Sequence, residues 1–400
     1  MHCRWRQLQY EGRGRKGAQN QGNRAGLEAD FAVDAQCAEL IARLMPALRS
    51  LKIRGVCGQD GALDGPVEGA GGSASAWSAL TLACSRLTAL TFTAFVPSRI
   101  WPRPNWPAMR RLVNIEMPGE AAEHFARGMP SLEALLATPT GDWSQGARAV
   151  FPRVTKARLE MCGPEFVRRV NIPQLMPSLE ALKIQVTSDE FECDLTGATS
   201  LTRLFFAARN TGFGATRPLH PLVCGALQSL PRLRELDATL TVAQAGELGR
   251  LTALEVLSAG VIYEPGTAQD AAVGHEAAPG SFDLCPALAA AARAPRLRAL
   301  RLWCAGVVAL FCHGALAQLV ASPQGCLAEL EVWLPAIRLH DVALLAALRG
   351  LTHLSVRVIR EDEGLLGEHV SQHARRGLRI DGISCSLFAD AFADMGTRYD

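Results

Sequence analysis

Long uncharged runs are missing from this 400-residue sequence. No stretch approaches the roughly 18 apolar residues that a membrane-spanning helix needs, so none is expected. The N-terminus lacks the apolar centre of a secretory signal. A dominant charge is missing too. The 41 Lys and Arg stand against 39 Asp and Glu, a net charge of +2. That balance favours neither nucleic acid nor a membrane surface as partner. The twelve cysteines include no Cys-x-x-Cys pair and no tight cluster. This excludes a disulfide framework and suits small apolar core residues in a reducing compartment. Catalytic signatures are also absent: no phosphate loop ending in Lys-Ser/Thr, no Gly-x-Ser-x-Gly elbow, no His-Glu-x-x-His. Aromatics contribute only 6% of the chain. What is abundant is aliphatic material. Hydrophobic residues make up 48% and charged residues 20%, enough for a large core and against wholesale disorder.

Residues 1–27 differ from the rest. Arg4, Arg6, Arg13, Arg15, Lys16 and Arg24 face a single acid, Glu11. The reading is a disordered basic tail over 1–30. An organelle transit peptide and a nucleic-acid-touching arm are the alternatives.

From residue 45 onward one phrase recurs: apolar-x-x-apolar-x-apolar, usually with Leu first. Met45-Pro-Ala-Leu48-Arg-Ser-Leu51-Lys-Ile53 returns almost unchanged as Met176-Pro-Ser-Leu179-Glu-Ala-Leu182-Lys-Ile184. Twelve such units begin at Leu48, Leu87, Met109, Leu132, Val154, Leu179, Leu201, Leu233, Leu251, Leu297, Leu327 and Leu351. Proline supplies an independent check. Seven units carry it two residues before the first apolar position (Pro46, Pro107, Pro130, Pro152, Pro177, Pro231 and Pro295), where composition alone gives fewer than one. Pro cannot continue a helix and drives the preceding residue to extended backbone, so it parts a helix from the next strand. Through the middle of the array the units recur every 22–25 residues. The longest gaps hold Gly-rich insertions at 55–75 and 260–281, which read as exposed loops. The shortest step, Leu233 to Leu251, demands a compact unit.

Helical patterns lie between the units. Asp34 caps Leu40, Ile41, Leu44 and Met45 on one side. Val307–Ala321 carries an apolar face. Asp341 caps Val342–Leu348, which Gly350 ends. Pro286 opens a helix over Ala287–Arg293.

The Leu-x-x-Leu-x-Leu units resemble the leucine-rich-repeat family over about residues 45–360. The long connectors are more similar to its ribonuclease-inhibitor-like and F-box-associated branches than to the secreted ones. The resemblance implies an α/β solenoid, a horseshoe with parallel strands on the concave face and helices on the convex face. It spans 31–385, with a C-terminal tail at 386–400. Two departures stand out. The third apolar slot of the Met109 unit is Asn114. The Asn or Cys that family members place three residues beyond that slot is met only by Cys162. The turning backbone must therefore be satisfied in some other way.

Side chains alternate along a strand, so the positions between the apolar slots face outward. The first outward series is Lys52, Thr91, Val113, Leu136, Arg158, Lys183, Phe205, Asp237, Glu255, Arg301, Glu331 and Ser355. The second is Arg54, Thr93, Ile115, Thr138, Glu160, Gln185, Ala207, Thr239, Leu257, Trp303, Trp333 and Arg357. Trp303 and Trp333 fall in the same slot of consecutive units, on strands about 4.8 Å apart. Two adjacent indoles are binding anchors unless a terminal segment or the 260–281 insertion covers them. Arg110, Arg111, Lys156, Arg158, Lys183 and Arg203 form a basic run with Glu133, Glu160 and Glu180 interleaved. It is either a solvated mixed-charge face or a phosphate- or acid-binding patch.

His369, His373 and Cys385, like Cys304, Cys312, His313 and Cys326, lack a third fixed ligand and read as packing, not as metal sites. Ile100–Trp106 is Pro-rich and aromatic, a loop anchored by its tryptophans or an extended ligand.

The expected function is a non-enzymatic scaffold with no cofactor. It binds a protein partner through Trp303, Trp333, Arg301, Glu331, Phe205, Lys183 and Arg158. The expected state is an intracellular monomer, cytoplasmic or nuclear, or imported into an organelle through the basic N-terminus. The alternatives are the substrate-recognition arm of an F-box-type ubiquitin ligase, by family analogy, and an enzyme with an unrecognised site.

Overall fold

The computed structural model describes residues 25–28, 32–33, 35–45, 47–56, 81, 85–96, 105–140, 150–161, 169–186, 192–209, 216–217, 221–262, 293–304, 327–337, 339–346, 348, 350–359, 367–368, 370–372 and 377–385. Fourteen strands form one sheet in strict chain order. They are β1 (Ala25–Glu28), β2 (Leu48–Ile53), β3 (Ala89–Val96), β4 (Arg111–Pro118), β5 (Ala134–Thr140), β6 (Lys156–Met161) and β7 (Ala181–Val186), then β8 (Arg203–Arg209), β9 (Glu235–Thr241), β10 (Val256–Ile262), β11 (Ala299–Cys304), β12 (Glu329–Ile337), β13 (His353–Ile359) and β14 (Arg379–Cys385). Every neighbouring pair is parallel. One short extra strand, Thr216–Arg217, lies antiparallel beside the end of β8. A parallel ladder in which each strand contacts only the units before and after it is a leucine-rich-repeat solenoid.

Each unit is built the same way. A turn comes first: Met109 N–H donates to the Trp106 carbonyl at 2.9 Å, Leu132 to Met129 at 3.1 Å and Leu179 to Met176 at 3.2 Å. Pro107, Pro130, Pro152, Pro177, Pro231 and Pro295 each hold the second position of such a turn. There proline's fixed φ is already the one required. The recurrent proline is therefore a turn residue as well as a helix stop.

A second device joins unit to unit. The carbonyl just after the first apolar slot accepts two N–H groups from the next unit. The Arg110 carbonyl takes Glu133 N at 2.8 Å and Ala134 N at 2.9 Å, and the Glu180 carbonyl takes Thr202 N at 2.8 Å and Arg203 N at 3.0 Å. The pattern runs through Thr88, Glu133, Thr155, Thr202, Arg234, Glu255, Arg298 and Ala328. Where Thr stands in this slot, its hydroxyl adds a bond to the same carbonyl. Thr88 Oγ1 donates to Arg49 O at 3.0 Å, Thr202 Oγ1 to Glu180 O at 2.9 Å and Thr352 Oγ1 to Ala328 O at 3.0 Å. This ladder satisfies the backbone where the strands begin, in a chain that lacks the family's asparagines at their far end. At that far end Thr241, one of the replaced positions, caps the helix Val242–Glu247 with a reciprocal Thr241–Gln244 box.

The slots pointing inward form the core. Leu51, Leu90, Leu112, Leu135, Leu182, Leu204, Leu236, Leu300, Leu330 and Leu354 are all buried. Ala122 and Phe125 of the helix Gly119–Gly128 pack into the same core. Trp106, the anchor expected for the 100–106 segment, is fully buried, and its backbone N–H donates to the Gly128 carbonyl at 2.8 Å.

The structure corrects several expectations. The unit assigned to Leu251 begins at Leu254, whose N–H closes the turn on the Leu251 carbonyl at 3.2 Å. Leu257 pairs with Leu236 and is buried, so it is a core residue and not an outward one. The outward slot is Ser258 instead of Glu255, and the improbably short step disappears. Asn114 is an inserted residue. It adopts φ 61°, and the register shifts there so that Ile115 takes the core slot and Glu116 the outward one. Its amide Nδ2 donates to the Phe92 carbonyl at 2.7 Å. Asn tolerates the left-handed region better than other side chains with a Cβ. Thr239 is buried at 5%, so it is not an open-face residue either. Leu44 is 62% exposed at the end of the helix Ala35–Leu44, whose buried residues are Ala38 and Ile41. Asp341 lies inside the helix Leu339–Ala346 instead of capping it. Ala25–Glu28, expected within the tail, is the first strand, and Arg379–Cys385 adds a repeat beyond Leu351.

Residues 55–56 and 260–262 are strand. The rest of both insertions, the 307–321 and 287–292 helices, the remaining tails, His369, His373 and the Cys312–Cys326 group lie outside the described residues.

Candidate functional site

The face opposite the core slots is open and nearly continuous across the sheet. Its central row is set by ladder register. Arg158 pairs with Lys183, Lys183 with Phe205, Phe205 with Asp237, Asp237 with Ser258, Ser258 with Arg301 and Arg301 with Glu331. Five of the seven expected binding residues, Arg158, Lys183, Phe205, Arg301 and Glu331, therefore stand in one line at about 4.8 Å per step. Trp303 and Trp333 are register partners on β11 and β12, as the slot count implies. Their side chains lie outside the described residues.

The middle of the row is a coupled group. The Lys183 ammonium sits 4.2 Å from the centre of the Phe205 ring, a cation–π contact between register partners. Asp237, beside Phe205, is partly buried. Burial pushes its carboxyl up from 3.8 to about 6, against the pull of a hydrogen bond from Ser258 and the charges of Lys183 and Arg301. Sequence reasoning placed Asp237 in the outward series without marking it. Its signal is visible only after the register is corrected: small residues, Ser258 and Gly260, follow it on the next strand.

Each end of the row has its own network. Arg158 Nη2 donates to Gln185 Oε1 at 3.1 Å and pairs with Glu160. Its Nε and the Thr138 hydroxyl are buried without partners. At the other end Arg301 reaches Glu329 at 3.3 Å and Glu331 at 3.5 Å. His353 Nε2 lies 3.7 Å from Asp381, and Arg379 meets the same carboxylate at 3.2 Å. Arg301, Glu329, Glu331 and His353 line a shallow, open depression of about 270 Å³. The His353–Asp381 pair is 31% and 45% exposed, too wet to be the sheltered base of an acyl-transfer site. Among the described residues no group of three His, Cys, Asp or Glu side chains is arranged to hold a metal. No helix among them is long and apolar enough to cross a membrane. Cys193 and Cys224 are free thiols. Cys193 is fully buried, and burial, helped by Asp194, pushes its pKa far up, so it behaves as a small apolar residue.

No protein-family model matches the chain, and no curated protein matches it. Among solved structures, an internalin from Listeria monocytogenes is similar over 78% of this chain and 78% of its own, at 12% identity and a TM-score of 0.35. That likeness is too loose to carry weight. The class of the protein, a leucine-rich-repeat solenoid with one open strand face, rests on the ladder itself.

Proposed function

We propose that this chain is a non-enzymatic scaffold that binds a protein partner on the open face of its sheet. The observation that carries this reading is the Arg158–Glu331 row. Charged, aromatic and small side chains share one line across adjacent strands, and the depression found beside it among the described residues is shallow and open. Such a surface recognises another surface better than a small molecule, which calls for an enclosed cavity. The curvature implied by the family resemblance makes this the concave face. Trp303 and Trp333 are the proposed aromatic anchors beside the row, and the free protein is proposed to be a monomer in a reducing compartment.

The test is affinity capture from the source cell, with wild type beside a Trp303→Ala/Trp333→Ala double variant of unchanged circular dichroism. A partner held by wild type and lost by the variant supports the reading. Equal recovery moves the site off the tryptophans. A photo-crosslinker at Phe205 that captures no partner in the same extract excludes the open face altogether.

A further inference from the structure

The corrected register shows that the open face is electrically bipolar. On β4 to β8 the outward side chains include five cations: Arg111, Lys156, Arg158, Lys183 and Arg203. Two carboxylates accompany them there, Glu116 and Glu160. From β9 onward the sign reverses. Among the residues whose side chains are described, Glu235, Asp237, Glu329, Glu331 and Asp381 face outward against Arg301 and Arg379. The seam is sharp. Arg203 and Glu235 are register partners on adjacent strands, 3.9 Å apart, and Phe205 pairs with Asp237 beside them. Pairs such as Arg158–Glu160, Arg301–Glu331 and Arg379–Asp381 cancel part of this charge. The excess of three cations on the early strands and three carboxylates on the late ones is partly or fully exposed, so its field reaches solvent.

This pattern excludes two kinds of partner and favours a third. Nucleic acid or a uniformly acidic segment would gain on the early strands and be repelled by the late ones. A uniformly basic segment would meet the reverse. We propose that the face binds an elongated protein segment whose two ends carry opposite charge, acidic over β4–β8 and basic over β9–β14, and so fixes its direction. The inference rests on the protein-binding reading above and names the chemistry of the partner. Its length follows from the sheet. From the Lys156–Arg158 strand to the Glu329–Glu331 strand there are six steps, about 29 Å at the usual strand spacing, which is the length of a helix of about 20 residues.

The test uses the full chain and two synthetic helical peptides of about 20 residues. One has Glu at one end and Lys at the other. The second has the same composition with the charges mixed. Binding is read by fluorescence anisotropy at low and high salt, with a uniformly acidic peptide and a DNA duplex as further probes. Several exposed ion pairs of ordinary strength amount together to about a tenfold preference for the bipolar peptide, diminished by salt. A Lys156→Glu/Arg203→Glu variant should lose that preference, as should a separate Glu235→Lys/Glu329→Lys variant. Both pairs are exposed, so folding is preserved. Equal binding of the two peptides leaves a protein-binding face without charge order and overturns the inference alone. Binding of neither peptide overturns the protein-binding reading with it. Tighter binding of the acidic peptide or the duplex overturns the bipolar partner. The bipolar face is also self-complementary about a two-fold axis. A salt-sensitive dimer by sedimentation, lost in either variant, would replace the proposed partner with a second copy of this chain.

Discussion

Leu257→Ala and Val256→Ala, adjacent substitutions of opposite consequence, test the register at its most contested unit. Leu257 is 2% exposed and pairs in the ladder with Leu236 on one side and Leu300 on the other, both buried. Truncating it opens a cavity among close-packed aliphatic side chains held by three consecutive strands, which cannot collapse without breaking their shared ladder. The expected cost is about 2–5 kcal/mol. Val256 is only partly buried on the outward side. Two methyl groups are lost there with no cavity, so the cost stays below about 1 kcal/mol. Chemical denaturation followed by circular dichroism measures both. Repeats contact only their neighbours, so a deep loss at the tenth strand should also broaden the transition, as the two flanking blocks begin to unfold separately. If Val256→Ala costs as much as Leu257→Ala, the register is wrong, and with it the composition of the open face.

Three further outcomes are expected. Asp237 has a folded-state pKa near 6 against 3.8 for the free side chain. Its raised value makes the folded state bind the proton more tightly, so stability falls as pH rises from about 4 to 6 and is level on either side. Asp237→Asn should flatten that slope by an amount on the order of 2 kcal/mol, read from melting temperatures across the range, and an unchanged slope would clear Asp237 of the effect. Thr202→Val removes the hydroxyl bond to the Glu180 carbonyl while keeping shape, and should cost about 1 kcal/mol in urea denaturation; no loss would make the threonine rung incidental. Asn114→Ala should cost about 1–2 kcal/mol more than Asn114→Gly, because its φ of 61° disfavours a Cβ. Equal losses in the two variants would instead make the side-chain bond to the Phe92 carbonyl, absent from both, the reason for Asn, and not the backbone conformation.

Repeat chemistry made most of the ladder legible. The Leu-x-x-Leu-x-Leu phrase fixed ten of the twelve units because each apolar slot is deep in a core where only aliphatic side chains fit. The two failures share a cause. At Leu251 the segment Leu251-Thr-Ala-Leu254-Glu-Val-Leu257-Ser-Ala259 satisfies the phrase in two frames three residues apart. Only the turn bond from Leu254, which depends on where the preceding helix ends, chooses between them. At Asn114 a bulge inserts a residue that no periodic template can accommodate. The expected binding row was legible because it follows from register by alternation. Asp237 and the bipolar charge order were not. The first depends on burial that only the assembled sheet creates. The second appears only when outward residues from units far apart in sequence are laid side by side, with Ser258 and Glu116 in place of Glu255 and Ile115.

The carbonyl ladder has one more consequence. Each unit is tied to the next within a few residues of its turn, at the point where the strand begins. The spacing of the face is therefore set where each strand begins, and the rung is the same whatever the length of the connector. The chain leaves β10 at Ile262 and resumes at Leu297, yet Arg298 and Ala299 return to the Glu255 carbonyl at 2.8 and 3.1 Å, the same rung made where the connection is short. Connector length can thus vary while the rungs that set the row stay the same, provided the connector still supplies its core residues, as Ala122 and Phe125 do. The strand face, fixed rung by rung, is thereby held to a stricter spacing than the segments that join its strands.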